Sequence, residues 1–211
     1  MSARSERWFN PCVVYRSTER VQARLNASRE RIIAAALEIM AGAGYAGCSV
    51  AAVAERAGVA TGTVYRHFPT KAELFAEVFR TASQREVDAV ARAAALERSA
   101  AAQVSAVVET FAGRALKSPR LAYALLAEPV DPAVDAERLV FRRAYAELIA
   151  GYVAAGVAGG ELPPQDPELT AAALVGALAE AMVGPLAAGV TGPGTIPGLI
   201  TFIHRALGVS P

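Results

Sequence analysis

The sequence predicts an all-α protein, and three observations carry that prediction. Hydrophobic residues make up 54% of the chain, and the commonest of them is alanine, the best helix former. Apolar residues recur at spacings of three and four along most of the chain, which is the period of an amphipathic helix. No run alternates apolar and polar residues as a half-buried strand does, and glycine and proline clusters separate the helical stretches.

The best-defined stretch, residues 48–74, contains two short helical patterns joined by a tight turn. Ser49 can cap the first pattern, and Gly58 ends it because glycine tolerates the left-handed backbone of a sharp turn. The second helix is predicted over Ala60–His67. Thr70, with Glu73 three residues later, forms a capping box that opens a longer helix. This order predicts a helix-turn-helix over about residues 49–68.

In a helix-turn-helix the second helix enters the major groove of DNA while the first crosses the backbone. Thr61 and Thr63 of the second helix carry short hydroxyl groups that reach bases or phosphates, and Gly62 allows close approach of the backbone to DNA. Tyr65 and His67 end in donors for phosphate oxygens, and Lys71 places a cation at a helix start. The candidate DNA-binding residues are Ser49, Thr61, Gly62, Thr63, Tyr65, His67 and Lys71.

The same stretch resembles the DNA-binding segment of the TetR/AcrR family of transcriptional regulators. The matching residues, in one register without a gap, are Ser49-Val50, Val53-Ala54, Ala57-Gly58-Val59, Gly62-Thr63-Val64-Tyr65, Phe68, Lys71 and Leu74. The resemblance covers roughly residues 28–75. The family's usual serine before the second helix is Ala60 here, and loss of such a cap costs about 1 kcal/mol.

Three regions are predicted. Residues 1–27 form a basic arm with Arg4, Arg7, Arg16, Arg20 and Arg24, residues 28–75 form the DNA-binding domain, and residues 76–211 form a helical ligand-binding and dimerisation domain. Residues 1–80 hold 11 basic and 7 acidic residues, whereas residues 81–211 hold 10 and 13. This asymmetry favours phosphate binding by the amino-terminal part. The arm either touches DNA, or is a partly disordered tail, or precedes the true start of translation.

The first helix is predicted over Ser28–Ala43, and helix is possible from Ser17. A long helix from Thr70 to about Glu97 belongs to both domains and links them mechanically. The remaining helices are predicted over Ala101–Lys117, Arg120–Glu128, Ala133–Ala158, Leu169–Ala188 and Ile196–Leu207. Asp166 followed by Pro167 is a typical helix start, an N-cap with proline at the first position.

Residues 171–190 are almost entirely apolar, so a membrane span has to be weighed. Glu180 lies at the centre of this segment, where a carboxylate is costly in lipid, and Pro185 interrupts it. The small residues favour a close helix–helix interface instead. The chain opens on a polar, arginine-rich segment, and Cys12 and Cys48 have no metal-binding spacing. These features predict a cytoplasmic protein with reduced thiols and no membrane association.

The resemblance implies a homodimer, because in this family the last two helices of each subunit form a four-helix interface. Two-fold symmetry also doubles the base contacts of a short recognition helix on a palindromic site. The interface candidates are Leu169, Ala173, Gly176, Ala177, Leu199, Phe202 and Ile203.

The resemblance also implies a pocket for a small apolar or amphipathic ligand between the helices of residues 70–188. The candidates are Phe111, Tyr123, Leu126, Phe141, Arg142, Tyr145, Glu180 and Met182. The aromatic residues could equally be ordinary core residues at helical spacing. Glu180 must find a partner in an apolar helix, either a ligand or an arginine across the dimer interface.

We find no serine–histidine–aspartate arrangement, no phosphate-binding glycine loop and no pair of metal-spaced histidines in the sequence. We therefore expect no catalysis, cofactor or metal. The predicted function is a DNA-binding transcriptional regulator, most simply a repressor that a small-molecule ligand releases from its operator. A regulator controlled by a protein partner, without a ligand pocket, stays open, and a small all-helical enzyme is a remote alternative.

Overall fold

In the computed structural model, which describes residues 19–189, 192 and 194–209, the described chain is entirely helical apart from turns and loops. The helices are α1 (Glu19–Ala43), α2 (Val50–Ala57), α3 (Thr61–His67), α4 (Lys71–Ala94), α5 (Ala100–Lys117), α6 (Pro119–Leu126), α7 (Pro132–Ala158), α8 (Pro167–Ala188) and α9 (Thr195–Leu207). The all-α prediction is confirmed, and each predicted helix is present; all but the first begin and end within a few residues of their expected bounds.

The largest difference in bounds is at the start of the chain. Helix α1 begins at Glu19, nine residues before Ser28. Residues 19–27 are almost all exposed, so local propensity rather than a buried face extends the helix, aided by a side-chain hydrogen bond from Gln22 to Asn26 at 3.1 Å. Residues 1–18, with Arg4, Arg7 and Arg16, lie outside the described residues. The arm over residues 1–27 therefore stays a prediction.

The predicted helix starts and stops have the expected geometry. The Ser49 hydroxyl accepts from the backbone N–H of Ala52 at 3.1 Å, and the Thr70 hydroxyl accepts from Glu73 N–H at 3.1 Å. Gly58 ends α2 with φ 65° and ψ 40°, the left-handed conformation that disfavours any side chain. The Asp166 carboxylate caps α8 by accepting from Glu168 and Leu169 N–H.

The amino-terminal core is built from α1, α2, α3 and the first half of α4. Its largest fully buried side chains are Phe75, Phe79, Ile32, Met40 and Leu74. The same core continues onto Ala124 of α6 and Val134 of α7. The amino-terminal unit is therefore seated directly on the carboxy-terminal helices.

A second core fills the carboxy-terminal half around α5, α7, α8 and α9. Its fully buried residues include Val104, Val108, Ile149 and Met182. A close contact between helices depends on Gly156 of α7, where a Cβ atom would lie only 2.5 Å from that of Ala100 at the start of α5. The second half of α4 joins this core through Val90 and Ala94. As predicted, α4 spans both cores; its 24 residues extend about 36 Å.

Helix α8 is long and apolar enough to cross a membrane by length and composition alone. Its residues Leu174, Leu178, Met182 and Leu186 are buried in the carboxy-terminal core, and only a third of its apolar window is buried in the subunit. Core helices of soluble proteins and helices of subunit interfaces share this composition. We therefore expect another protein surface to cover the apolar face of α8 that the subunit leaves exposed.

Candidate nucleic-acid interface and ligand cavity

Helix α3 has one face in the core and one face outside. Val64 and the adjoining Phe68 are buried. Thr61, Gly62, Tyr65 and Arg66 are exposed and share the outer face, because positions three and four apart are neighbours on a helix. Tyr65 is 46% exposed. This outer face, which we call the α3 face, holds hydroxyl groups, a phenol and a guanidinium, all suited to base edges or phosphates.

The backbone beneath the α3 face is fixed by local hydrogen bonds. Gly58 N–H donates to the carbonyl of Glu55 at 3.1 Å, and Val59 N–H donates to that of Ala54 at 3.0 Å. These bonds close the turn between α2 and α3. Helix α3 opens at Ala60, whose backbone is extended but which has no side-chain oxygen for a cap. The seven-residue helix is thus stabilised by its packing, not by its own ends.

Gly62 is a glycine that the fold itself does not require. Its backbone is helical rather than left-handed, and a Cβ added there would meet no described atom within 4 Å. Glycine inside a helix costs about 1 kcal/mol relative to alanine. The residue is therefore consistent with close approach of something outside the subunit, as the sequence predicted for DNA.

Two other predicted contacts, Ser49 and Lys71, are open to the surface near α3. Ser49 is exposed, and its hydroxyl, although it accepts from Ala52 N–H, keeps its own hydrogen for donation. Lys71 is exposed at the first position of α4. Its ammonium stands 5.3 Å from the ring centre of Tyr45 and 5.7 Å from that of Phe75, a cation–π arrangement that orients the charge.

His67 does not fit its predicted role as a phosphate donor. Its Nε2 atom is buried and has no hydrogen-bond partner among the described residues. Burial, Arg66 and Arg29 all lower the pKa of its imidazole, which keeps the ring neutral near pH 7. The ring packs beside Phe68, so its position at the end of α3 serves the core. Thr63 is half-buried, less open than Thr61 or Tyr65.

Sequence reasoning missed Arg66, the one cation on the outer face of α3 among the described residues. Its position one residue after Tyr65 in a predicted recognition helix was a sufficient signal. Two nearby arginines are already engaged: Arg56 pairs with Glu38 at 3.2 Å, and Arg29 pairs with Glu77 at 3.1 Å. The Arg56–Glu38 pair is exposed on both sides and therefore weak, whereas Glu77 is mostly buried beside Arg29.

A cavity of about 410 Å³ lies between α4, α5, α6, α7 and α8, and Leu37 of α1 also lines it. This volume is within the range of small-molecule sites. Five of the predicted ligand residues line the cavity: Phe111, Leu126, Phe141, Arg142 and Tyr145. The first and last of these form an edge-to-face pair with ring centres 5.9 Å apart, so packing between aromatic rings shapes one wall.

Three predicted ligand residues lie elsewhere. Met182 is fully buried in the carboxy-terminal core, and Tyr123 faces a smaller surface depression with Arg120 and Glu128. Glu180 is exposed on the outer side of α8 and does not line the cavity, so its other predicted partner, an arginine across the dimer interface, stays a prediction. The sequence of α8 could not reveal which residues face inward, because apolar residues surround the helix on all sides. The helices packed against α8 decide which of its sides is buried.

The polar wall of the cavity contains charges that sequence reasoning missed. Arg114 donates two hydrogen bonds to the carboxylate of Glu86, at 2.5 and 2.7 Å. Arg138 donates to the carbonyls of Leu125 and Glu128 at 3.0 and 2.8 Å. Burial is the main cause that lowers the pKa of its guanidinium, although this group remains charged at neutral pH.

Tyr145 adds a polar group that the fold leaves unsatisfied. Its hydroxyl is buried without a hydrogen-bond partner among the described residues, a state that costs about 1–3 kcal/mol. Burial chiefly raises the pKa of this phenol, and Glu86 raises it further while Arg114 opposes. The hydroxyl therefore stays protonated and is a donor close to the Arg114–Glu86 pair.

The turn between α1 and α2 is bound to the loop between α6 and α7. The carboxylate of Glu128 accepts from the N–H groups of Tyr45 and Ala46 at 2.7 and 3.0 Å, and the Tyr45 hydroxyl donates to Asp131 at 2.5 Å. Burial and Glu128 raise the pKa of Cys48, in the same turn, to about 11, so its thiol is protonated. We call these contacts of Tyr45, Glu128 and Asp131 the junction.

The predicted dimer residues divide into two groups. Leu169, Ala173 and Gly176 are exposed along α8, Ala177 is half-buried, and Phe202 of α9 is 46% exposed. Leu199 and Ile203 are buried within the subunit's own core, so they are not available to a partner, which corrects that part of the prediction. The remaining residues form an apolar surface of mostly small side chains on α8 and α9.

Comparison with known proteins bears on the amino-terminal part first. The family model described as "Bacterial regulatory proteins, tetR family" matches residues 32–78. The HTH-type transcriptional repressor KstR of Mycolicibacterium smegmatis (strain ATCC 700084 / mc(2)155) is 44% identical over 68 residues, which are 32% of this chain and 33% of the relative. KstR of Rhodococcus jostii (strain RHA1) is 50% identical over 46 residues, 22% of each chain. These matches therefore span a third or less of the curated relatives' length.

Solved structures match the whole fold. FadR from Bacillus subtilis, in complex with stearoyl-CoA, superposes with a TM-score of 0.74 at 18% identity and covers 86% of this chain and 99% of its own. RolR in complex with resorcinol superposes with a TM-score of 0.69 at 20% identity, covering 90% and 91%. At these identities the likeness concerns the fold alone. The helix-turn-helix match and the shared fold agree: residues 32–78 match the tetR family of bacterial regulatory proteins, and the fold of the chain is that of the FadR and RolR structures.

Proposed function

We propose that this chain is a homodimeric DNA-binding regulator, a repressor that a small-molecule ligand releases from a palindromic operator. The observation that carries the proposal is the α3 face, which holds Thr61, Gly62, Tyr65 and Arg66 on the outside of a helix whose opposite side is anchored in the core by Val64. Such a face gives few base contacts, so a second copy on the same duplex supplies the specificity that one lacks. The protein acts in the cytoplasm, where its DNA is.

The roles on DNA follow from exposure. Thr61 and Tyr65 face the groove, Gly62 lets the backbone approach, and Arg66, Lys71 and Ser49 hold phosphates. Thr63 contacts DNA at the side of the helix, and His67 supports the helix from within. Phosphate contacts set position and add affinity without sequence preference, whereas contacts to base edges discriminate.

The cavity supports control by a small molecule over control by a protein partner. It has apolar walls and a few polar groups, the usual composition of a ligand site, and related regulators of the same fold hold stearoyl-CoA or resorcinol. A partner-controlled regulator would need no such cavity. The ligand proposed here is small and apolar or amphipathic.

The route from cavity to DNA runs through Arg138 and the junction. Arg138 lines the cavity and also donates to the carbonyl of Glu128, whose carboxylate holds the turn before α2. A ligand that displaces α7 or Arg138 moves this turn and, with it, α3. Differential binding of about 1–3 kcal/mol lowers operator affinity 5- to 150-fold.

Dimerisation is proposed through the exposed small residues of α8 and Phe202 of α9. A Cβ at Gly176 meets no described atom within 4 Å, so Gly176→Leu is tolerated by the subunit and acts only on a partner. We expect this variant to elute as a monomer in size-exclusion chromatography with unchanged helicity. A dimer of normal mass places the interface elsewhere.

The decisive experiment is selection of bound DNA from a random library, followed by titration of the enriched site. We expect a palindrome whose half-sites are one or more helical turns apart. Tyr65→Ala and Thr63→Ala should weaken binding to this site and leave the dimer intact. Lys71→Ala should weaken binding to all sequences alike and lower the salt dependence by about one unit.

Two outcomes contradict the proposal. The first is that no sequence is enriched and that the protein does not bind DNA even at low salt. The second is that Tyr65→Ala binds the enriched site as tightly as the unaltered protein does. An effect of Lys71→Ala on one sequence only would remove this residue from the phosphate contacts.

A further inference from the structure

The charges around the cavity are strongly asymmetric. Four exposed cations line it, Arg85 of α4, Arg114 and Lys117 of α5, and Arg142 of α7. A residue that both lines a cavity and is exposed lies where the cavity meets solvent, so these four form a cationic rim. Glu86 is the one acidic residue among the lining residues described.

The single carboxylate is already occupied. Both oxygens of Glu86 accept from Arg114, at 2.5 and 2.7 Å. Arg85, Lys117 and Arg142 form no ion pair with any residue of the described ranges. The rim therefore offers three uncompensated positive charges to a ligand and no carboxylate for a cationic one.

The rim is one site, because its members come from single turns of three neighbouring helices. Arg114 and Lys117 are three apart on α5, and Arg142 and Tyr145 are three apart on α7, so each pair shares a face. The Arg114–Glu86 pair joins α5 to α4. Beside that pair lies the Tyr145 hydroxyl, a donor with no partner among described residues.

The walls below the rim are apolar. They include Val108, Phe111, Phe141, Leu178 and Ile149. An apolar body placed against these walls is stabilised because its surface is removed from water, whereas an anionic group has its partners only at the rim. A ligand that fits both parts of the site must therefore combine an apolar body, for the walls, with an anionic group, for the rim.

From this arrangement we infer that the ligand is an amphipathic anion, with its apolar body against the aromatic wall and its anionic head at the rim formed by Arg85, Arg114, Lys117 and Arg142. The anionic head accepts hydrogen bonds from the arginine guanidinium groups of the rim. It also accepts one from the Tyr145 hydroxyl, which lies buried beside the Arg114–Glu86 pair. The head is a carboxylate or the phosphate groups of a larger conjugate, which share this chemistry. The inference rests on the proposed ligand-responsive function and specifies its ligand.

The test uses three probes of one chain length, dodecanoate, dodecanol and dodecyltrimethylammonium, each below its critical micelle concentration. Binding to the full-length protein is measured by equilibrium dialysis. We expect dodecanoate to bind on the order of tenfold more tightly than dodecanol, with an advantage that shrinks as salt is raised. The cation should bind most weakly. Equal affinities for the three probes, or no binding of dodecanoate, overturn the inference.

Matched variants locate the head. Arg142→Gln should weaken dodecanoate binding roughly two- to fivefold, as expected for an exposed charge pair, and should leave dodecanol binding unchanged. Arg143→Gln is the control, because Arg143 is also exposed on α7 but does not line the cavity. Equal losses in the two variants, or a loss of dodecanol binding in Arg142→Gln, contradict the assignment of the rim.

A further probe, dodecanoyl-CoA, separates the two sources of the anion. Tighter binding than dodecanoate indicates phosphate groups at the rim, and weaker binding indicates a free carboxylate; either result supports an anionic head. Operator titration without any probe tests the DNA-binding function independently. If DNA binding persists and all probes bind alike, this inference fails and the proposed regulator stands.

Discussion

The two cores of this protein are packed in different ways. The amino-terminal core is closed by large side chains, among them Phe75, Phe79, Met40 and Ile32, all fully buried. The carboxy-terminal core is built mainly of valine, alanine and leucine, and it surrounds a cavity of about 410 Å³. Protein interiors are normally packed as densely as organic crystals, so an open cavity of this size distinguishes the carboxy-terminal half.

The difference suits the two proposed tasks. A surface that fits a DNA groove must keep its shape, and α3 is too short to keep it alone. A ligand site needs space that the fold does not fill. The junction of Tyr45, Glu128 and Asp131 joins the rigid unit to the helices around the cavity, so a change of the second unit can reach the first.

The largest expected effect tests the packing contrast directly. Phe75→Ala removes a fully buried ring that packs edge-to-face on Tyr45, and we expect a loss of about 3–5 kcal/mol in the free energy of unfolding. Phe111→Ala removes a ring of the cavity wall that is only half-buried and should cost about 1–2 kcal/mol. Urea unfolding followed by circular dichroism measures both variants. Equal losses in the free energy of unfolding would contradict the difference in packing between the two cores.

The next prediction tests whether the carboxy-terminal helices are tightly packed away from the cavity. Gly156→Ala places a Cβ 2.5 Å from that of Ala100, and such overpacking costs about 1–3 kcal/mol. Gly151→Ala, on the same helix, meets no described atom within 4 Å and should stabilise by about 0.5–1 kcal/mol because alanine favours helix. Thermal unfolding of the two variants measures both changes. If Gly156→Ala and Gly151→Ala change the free energy of unfolding in the same direction, the close contact at Gly156 is contradicted.

The smallest expected effect on stability concerns the junction. Tyr45→Phe removes the hydrogen bond to Asp131 and should cost about 1 kcal/mol, while Tyr65→Phe removes an exposed hydroxyl and should change stability by less than about 0.5 kcal/mol. If the junction transmits ligand binding, Tyr45→Phe also reduces the loss of operator affinity that a ligand causes. An unchanged ligand response in a gel-shift titration would exclude the junction from the route.

Most of the fold could be predicted from the sequence because its signals are local. Ser49, Gly58, Thr70 and Asp166 each mark a helix end through bonds to backbone atoms a few residues away. The helix-turn-helix was predicted for the same reason. The start of α1 was less sharply predicted: the sequence indicated a definite helix from Ser28 and a possible one from Ser17, and α1 begins at Glu19, because residues 19–27 bury almost nothing that would fix the start.

The sites were harder to predict because they depend on which side of a helix faces a neighbour. Tyr65 and His67 are two residues apart on α3, yet the phenol is exposed and the imidazole Nε2 is buried. Glu180 and Met182 are likewise neighbours on α8, one outside and one in the core. Arg114 was overlooked because its partner Glu86 belongs to another helix.

The sequence by itself determined the helical class, the helix ends and the helix-turn-helix, because capping, turn geometry and the 3.6-residue period act within a few residues. Only the tertiary structure decided which faces are covered, where the cavity lies, and how Glu128 and Asp131 meet Tyr45 across more than 80 positions of the chain. Those features arise from contacts between distant segments, and no local pattern records them.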